Sequence, residues 1–171
     1  MRRLIVPRGH NCWWGVDPST KAVSIATVDA SGRRGVSTVP FRKGTLLGRL
    51  NDIYRLTSMC AADLKMCDLM PGVIVVEQPS GATQNLELVY AVGAILAALN
   101  KGYQGYILTV PSMSWKKEAC GRGNIFKSKP PGEYGVLTWA LLNGYTGWSW
   151  DEADAWGIAE YARKTIVLEE G

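Results

Sequence analysis

The sequence predicts an α/β fold: a mixed sheet made of a three-strand antiparallel meander and then strand–helix units, flanked by helices. Two observations predict it. Three short strand-like runs separated by turn residues fill positions 12–40, and beyond them the apolar pattern switches between helical and strand spacing. The resulting order is three strands, then helix, strand, helix, strand, helix, helix, which suits an α/β sheet with an antiparallel edge. With 171 residues, 47% hydrophobic and 20% charged, the chain reads as one domain, 1–171, with a substantial core.

Each element has its own signal. Residues 12–17 read as a buried strand. Residues 23–29 alternate loosely as a second, Ser31-Gly32 turns the chain, and 34–40 form a third. Leu46, Leu50, Ile53, Cys60, Leu64 and Cys67 step by fours, threes and sevens, one face of a helix over 44–67. Pro71-Gly72 interrupts. Val73 to Glu77 is a continuous apolar run ending in an acid, the pattern of a central strand buried on both faces. Residues 83–99 predict a helix rich in small side chains, stopped by Asn100-Lys101-Gly102. A strand follows at 105–110, then a basic, glycine-interrupted segment at 114–129, then helices at 133–143 and 150–165. The last helix opens on Ser149-Trp150-Asp151-Glu152, a capping-box pattern. This order fits the ribonuclease H-like fold.

Composition excludes several chemistries. The only histidine is His10, so a multi-histidine metal centre within one chain is impossible, and a Ser/His/Asp triad would have to use His10. The cysteines, Cys12, Cys60, Cys67 and Cys120, form no CxxC pair, which argues against structural zinc. They read as reduced core residues, with Cys60 and Cys67 on the apolar face of the long helix. No apolar run reaches the roughly 18–20 residues of a membrane span, and the short apolar start is not a signal peptide. A cytoplasmic location is the expectation. The formal net charge is +4, and residues 114–129 carry five basic side chains (Lys116, Lys117, Arg122, Lys127, Lys129) against Glu118. Such a stretch can meet a phosphate backbone or form a solvated loop.

Carboxylates carry the remaining chemistry. Asp17 and Glu77 end predicted strands, and Asp151 and Asp154 lie three apart at the head of the last helix, so all four can converge. Clustered like charges are unfavourable unless a cation neutralises them. Hard oxygen donors without histidine suit Mg2+ or Mn2+, and two ions could serve in-line displacement at phosphorus. Each acid has a plainer reading. Asp17 before Pro18 can be a turn residue, Glu77 can mark a strand reaching solvent, and Asp151 can complement the helix dipole. Glu152 reads as part of the cap.

Gly15-Val16-Asp17-Pro18, Val76-Glu77-Gln78-Pro79 and Asp151-Glu152-Ala153-Asp154-Ala155 resemble the acidic motifs of RuvC-type Holliday junction resolvases. Trp115-Lys116-Lys117, Gly121-Arg122-Gly123 and Lys127 resemble that family's lysine-bearing region, and the similarity spans almost the whole chain. The resemblance implies a homodimer that binds four-way or branched DNA and makes paired nicks with Mg2+ or Mn2+. It implies that Asp17, Glu77, Asp151 and Asp154 hold metal, while Lys116 and Lys127 stabilise phosphate charge. Two departures stand out: Ser19 replaces a usual glycine, and Pro79-Ser80-Gly81-Ala82 lacks the aromatic that many members carry. They point to a phage-encoded branch, located in the host cytoplasm. The alternatives are a non-cleaving branched-DNA binder, or another ribonuclease H-like nuclease acting on RNA–DNA hybrids or flaps. Trp115 is the tryptophan considered for stacking on DNA, with packing as its other reading.

Overall fold

The computed structural model describes residues 1–79, 86–123 and 135–171. Its strands are β1 (Arg2–Val6), β2 (Cys12–Pro18), β3 (Ala22–Asp29), β4 (Arg34–Pro40), β5 (Pro71–Gln78), β6 (Tyr106–Pro111) and β7 (Ile166–Glu170). Its helices are α1 (Leu46–Met66), α2 (Leu86–Asn100), α3 (Ser112–Cys120), α4 (Val136–Leu142) and α5 (Trp150–Thr165). The main sheet runs β4-β3-β2-β5-β6. β2, β3 and β4 form the antiparallel meander, and β5 joins β2, and β6 joins β5, in parallel. This is the mixed α/β sheet that the sequence predicts.

Strand periodicity sorts the core into two layers, because successive side chains point to opposite faces. Trp14 and Val16 of β2, Ile25 of β3, and Ile74 and Val76 of β5 pack with Ile53 of α1 and Ile95 of α2. Val73 and Val75, with Ala26 and Val28, face the other way, onto Trp115 of α3, Trp139 of α4 and Ile158 of α5. Trp14 is fully buried, and its indole N–H donates to the Leu69 carbonyl at 3.0 Å.

Gly15 sets how close α5 lies to the sheet. A Cβ there would stand 2.2 Å from the Ala159 nitrogen and 2.3 Å from the Ala155 carbonyl oxygen. The helix backbone therefore rests directly on β2, a close approach that only glycine permits.

Several elements differ from the sequence reading. β1 and β7 pair in parallel as a separate two-stranded sheet, Arg2 opposite Ile166 through Val6 opposite Glu170. Both are short, and their strand character comes from a partner more than 150 residues away, which local pattern does not carry. The first part of the basic segment is helix α3 rather than loop. It starts after Pro111 and ends on Gly121 in the left-handed conformation, φ 77°. Its buried residues Trp115 and Ala119 stand one helical turn apart, a pattern that the surrounding charges obscure. Cys60 is buried, but Cys67 caps α1 and is exposed, so Cys67 is not a core residue.

The capping box is half formed. The Ser149 hydroxyl accepts from the Glu152 N–H at 3.4 Å. The Glu152 carboxylate, however, accepts from the Tyr145 hydroxyl at 2.6 Å and the Thr38 hydroxyl at 3.1 Å, tying the first turn of α5 to β4. The Ser149 N–H donates instead to the Tyr145 hydroxyl oxygen at 3.2 Å.

Candidate active site

Two neighbouring strands present the first two acids. Val16 of β2 lies opposite Val76 of β5 in parallel register, so Asp17 and Glu77 follow side by side at the same end of the sheet. Both fall in the alternation that faces α5, in step with Val73 and Val75. Helix α5, pressed against Gly15, brings in Asp154 one turn before Ile158. One carboxylate oxygen from each of Asp17, Glu77 and Asp154 lies within 4.8 Å of the other two. Asp17 and Asp154 are buried, at 6% and 2% exposure, and Glu77 is half-buried. Asp151 is half-buried, one turn earlier on α5, and is not a member of this trio.

The donor set suits a hard divalent cation. Three carboxylates this close repel strongly in a poorly solvated setting, and a cation reverses the sign of that energy. The trio consists of oxygen donors alone, the preference of magnesium, calcium or manganese rather than of zinc or copper. The cluster can therefore hold a metal ion.

Among the described residues, α3 supplies a direct partner of the cluster. Trp115 is fully buried, and its indole N–H donates to Glu77 Oε2 at 2.7 Å. Its role is packing and hydrogen bonding inside the protein, not stacking on DNA. Lys116 places its ammonium 5.3 Å from the centroid of the Trp115 ring, a cation–π distance. The buried Cys120 thiol is pushed up to about 12, mainly by desolvation, with the Asp154 charge adding to the effect and Lys116 and Lys164 opposing it. That thiol stays protonated at neutral pH.

The other sequence candidates are placed as follows. Lys117 and Arg122 are exposed, and Lys127 and Lys129 lie outside the described residues. Outside that set of candidates, three further arginines form ion pairs that serve the fold: Arg33 with Asp29, Arg34 with Glu160, and Arg49 with Glu87. Trp139 and Trp156 are buried, Trp13 is half-buried with its N–H on the Ile166 carbonyl, and Trp148 and Trp150 are exposed. Sequence reasoning missed Gly15, Gly157 and the Trp115–Glu77 bond. A glycine inside an apolar strand is a signal for close backbone approach and could have flagged Gly15. Nothing local marks the other two.

No protein-family model matches this chain. No curated protein matches it. Among solved structures, Thermus thermophilus RuvC is similar at 18% identity over 90% of this chain and 95% of that one, with a TM-score of 0.63. T. thermophilus RuvC in complex with a Holliday junction substrate is similar at 16% identity over 91% and 96%, with a TM-score of 0.64. Over nearly its whole length the chain therefore has the RuvC form of the ribonuclease H-like fold, with a buried acid cluster where two central parallel strands end.

Proposed function

We propose that this chain is a structure-selective DNA endonuclease that resolves Holliday junctions and other branched DNA by paired, metal-dependent nicks. The observation that carries the reading is the convergence of Asp17, Glu77 and Asp154 within 4.8 Å on a RuvC fold. A pure DNA-binding protein has no use for buried carboxylates that repel phosphate. The similar RuvC was solved with a Holliday junction substrate, and the same substrate class is proposed here.

In this reading Asp17, Glu77 and Asp154 hold Mg2+ or Mn2+, with Asp151 completing the set for a second ion. Such ions, when bound, supply an activated water and stabilise the departing oxygen. The protein side chains have separate tasks. The strand-borne acids fix the site rigidly, because both emerge from a paired sheet. Lys116 and Lys127 offset the charge that builds on the phosphate. Lys117, Arg122 and Lys129 hold the flanking backbone, a salt-sensitive contribution. The active protein is a homodimer whose two sites address opposing strands of a two-fold junction. Residues 1–171 form one nuclease domain, and the protein works in the cytoplasm of a bacterial cell or, if phage-encoded, of the host.

The test is a mobile four-way junction incubated with wild type, Asp17→Asn and Asp154→Asn across a Mg2+ titration, with nicks mapped on each strand. Wild type gives paired nicks only with metal. Each variant loses cleavage by at least about 100-fold, the scale on which removing one electrostatic stabiliser acts, while still shifting the junction in a gel. Wild type that shifts the junction without nicking it at any metal concentration would identify a non-cleaving binder. Preferential cleavage of RNA–DNA hybrid or flap over junction would redirect the substrate assignment.

A further inference from the structure

We propose that Trp115 is a positioning residue for the acid cluster: its buried indole N–H holds one oxygen of Glu77 and so directs the other toward Asp17 and Asp154. The inference rests on the reading of that cluster as the metal site. It concerns a side chain whose sequence context, between Ser114 and Lys116, suggests no such role.

The geometry is specific. A fully buried indole needs an acceptor for its N–H, and here the acceptor is a carboxylate. The 2.7 Å separation is at the short end for N–H···O, as expected when the acceptor is ionised. Glu77 is the member of the trio with most solvent access and the longest side chain. Unrestrained, it could rotate away from two buried aspartates that repel it. A donor on the side chain of a ligand fixes its orientation, as outer-shell partners of metal ligands do.

The ring itself is seated by α5. A Cβ on Gly157 would lie 2.4 Å from Cζ3 of Trp115 and 3.2 Å from Cη2. Gly157 is thus the empty position that receives the indole, three residues after Asp154 on the same helix. Helix α5 therefore supplies one acid directly and locates the donor that aims another. The ring face carries the Lys116 ammonium while its N–H edge holds the acid. One side chain in this way sets the position of a ligand and of a neighbouring cation.

The experiment is a Mg2+ titration of the DNA-free full chain, followed by nuclear magnetic resonance and by calorimetry. The Trp115 indole N–H resonance is assigned in the wild type from its through-space correlations to neighbouring protons, and its loss is checked in Trp115→Phe, which keeps an aromatic face for Lys116 but removes the donor. The expected result is that this indole resonance shifts together with the backbone amides of Asp17 and Asp154. Trp115→Phe should weaken Mg2+ binding by about 10- to 100-fold, the usual consequence of losing an outer-shell partner. Gly157→Ala should weaken it in the same direction by displacing the ring, with Trp115 itself intact. If the Asp17 and Asp154 amides respond while the indole does not, and Trp115→Phe binds Mg2+ like wild type, the positioning role is overturned and the metal site stands. If the wild type binds no Mg2+ and none of these resonances moves, the metal-site reading itself fails and takes this inference with it. The wild-type resonance titration does not depend on either variant folding.

Discussion

Gly15 carries more of the site than its lack of chemistry suggests. Its hydrogen is the only substituent that fits between β2 and the backbone of α5. Gly15→Ala forces a methyl group into main-chain atoms, which cannot rotate aside, so the helix must move off the sheet. Overpacking of this kind costs at least about 1–3 kcal/mol, and a lowered thermal midpoint should report it. The displacement also separates Asp154 from Asp17 and Glu77, so residual metal affinity should fall further than the loss of stability alone explains. Asp17 and Glu77 were legible in the sequence because each terminates an apolar strand, where an acid is conspicuous. Asp154 was legible because it interrupts an apolar helix face. Trp115 as a partner of Glu77 was not, because 38 residues separate them and an indole beside lysines looks like a surface feature.

At the scale of elements, the β3–β4 turn shows how a buried acid can serve structure rather than catalysis. Asp29 accepts from the Ser31 hydroxyl at 2.6 Å, the Arg33 N–H at 2.9 Å and the Arg33 guanidinium at 3.0 Å. The Ser31 hydrogen bond first, then the backbone and charge of Arg33, lower its pKa against an opposing desolvation. Because the folded value lies below the ordinary 3.8, its stabilising contribution is complete above 3.8 and disappears as pH falls through the folded value. Chemical denaturation of wild type and Asp29→Asn from neutral pH downward should show wild type more stable by a constant margin above that range, shrinking to nothing in stronger acid. Helix α5 illustrates the limit of motif reading at this scale. The sequence pattern Ser149 to Glu152 correctly marks the start of the helix, yet the Glu152 side chain turns to Tyr145 and Thr38. The Glu152 carboxylate is taken by two hydroxyls, one from the connection before α5 and one from β4, and the capping-box pattern contains neither.

At the scale of the whole molecule, α2 presents an exposed apolar stripe. Leu86, Val89, Tyr90, Gly93 and Ala97 recur at helical spacing on its outer side and are exposed. Tyr90 is 49% exposed and Leu86 66%, an apolar stripe that a solvated helix would ordinarily replace with charge. A two-fold pairing of this stripe agrees with the proposed dimer. Sedimentation velocity should show wild type as a dimer, and Val89→Asp with Tyr90→Asp should shift it to monomer by burying charge in the contact. A monomeric wild type at concentrations that support cleavage would remove the dimer from the proposal. Among the described residues no helix is long and apolar enough to cross a membrane.

The sequence by itself determined the α/β class, the order and approximate bounds of the principal elements, and four acids at positions able to meet. These depend on local periodicity, turn residues and the rarity of charge in apolar runs, all of which are written within a few residues. Only the tertiary structure decided that Asp17, Glu77 and Asp154 meet while Asp151 stands one turn away. It also decided that β1 pairs with β7, that part of the basic segment is a helix, and that Trp115 serves Glu77. Each of these turns on which distant residues come into contact, and the meeting of the acids with Trp115 depends further on how closely α5 can approach its neighbours, a matter of one missing side chain at Gly15 and another at Gly157.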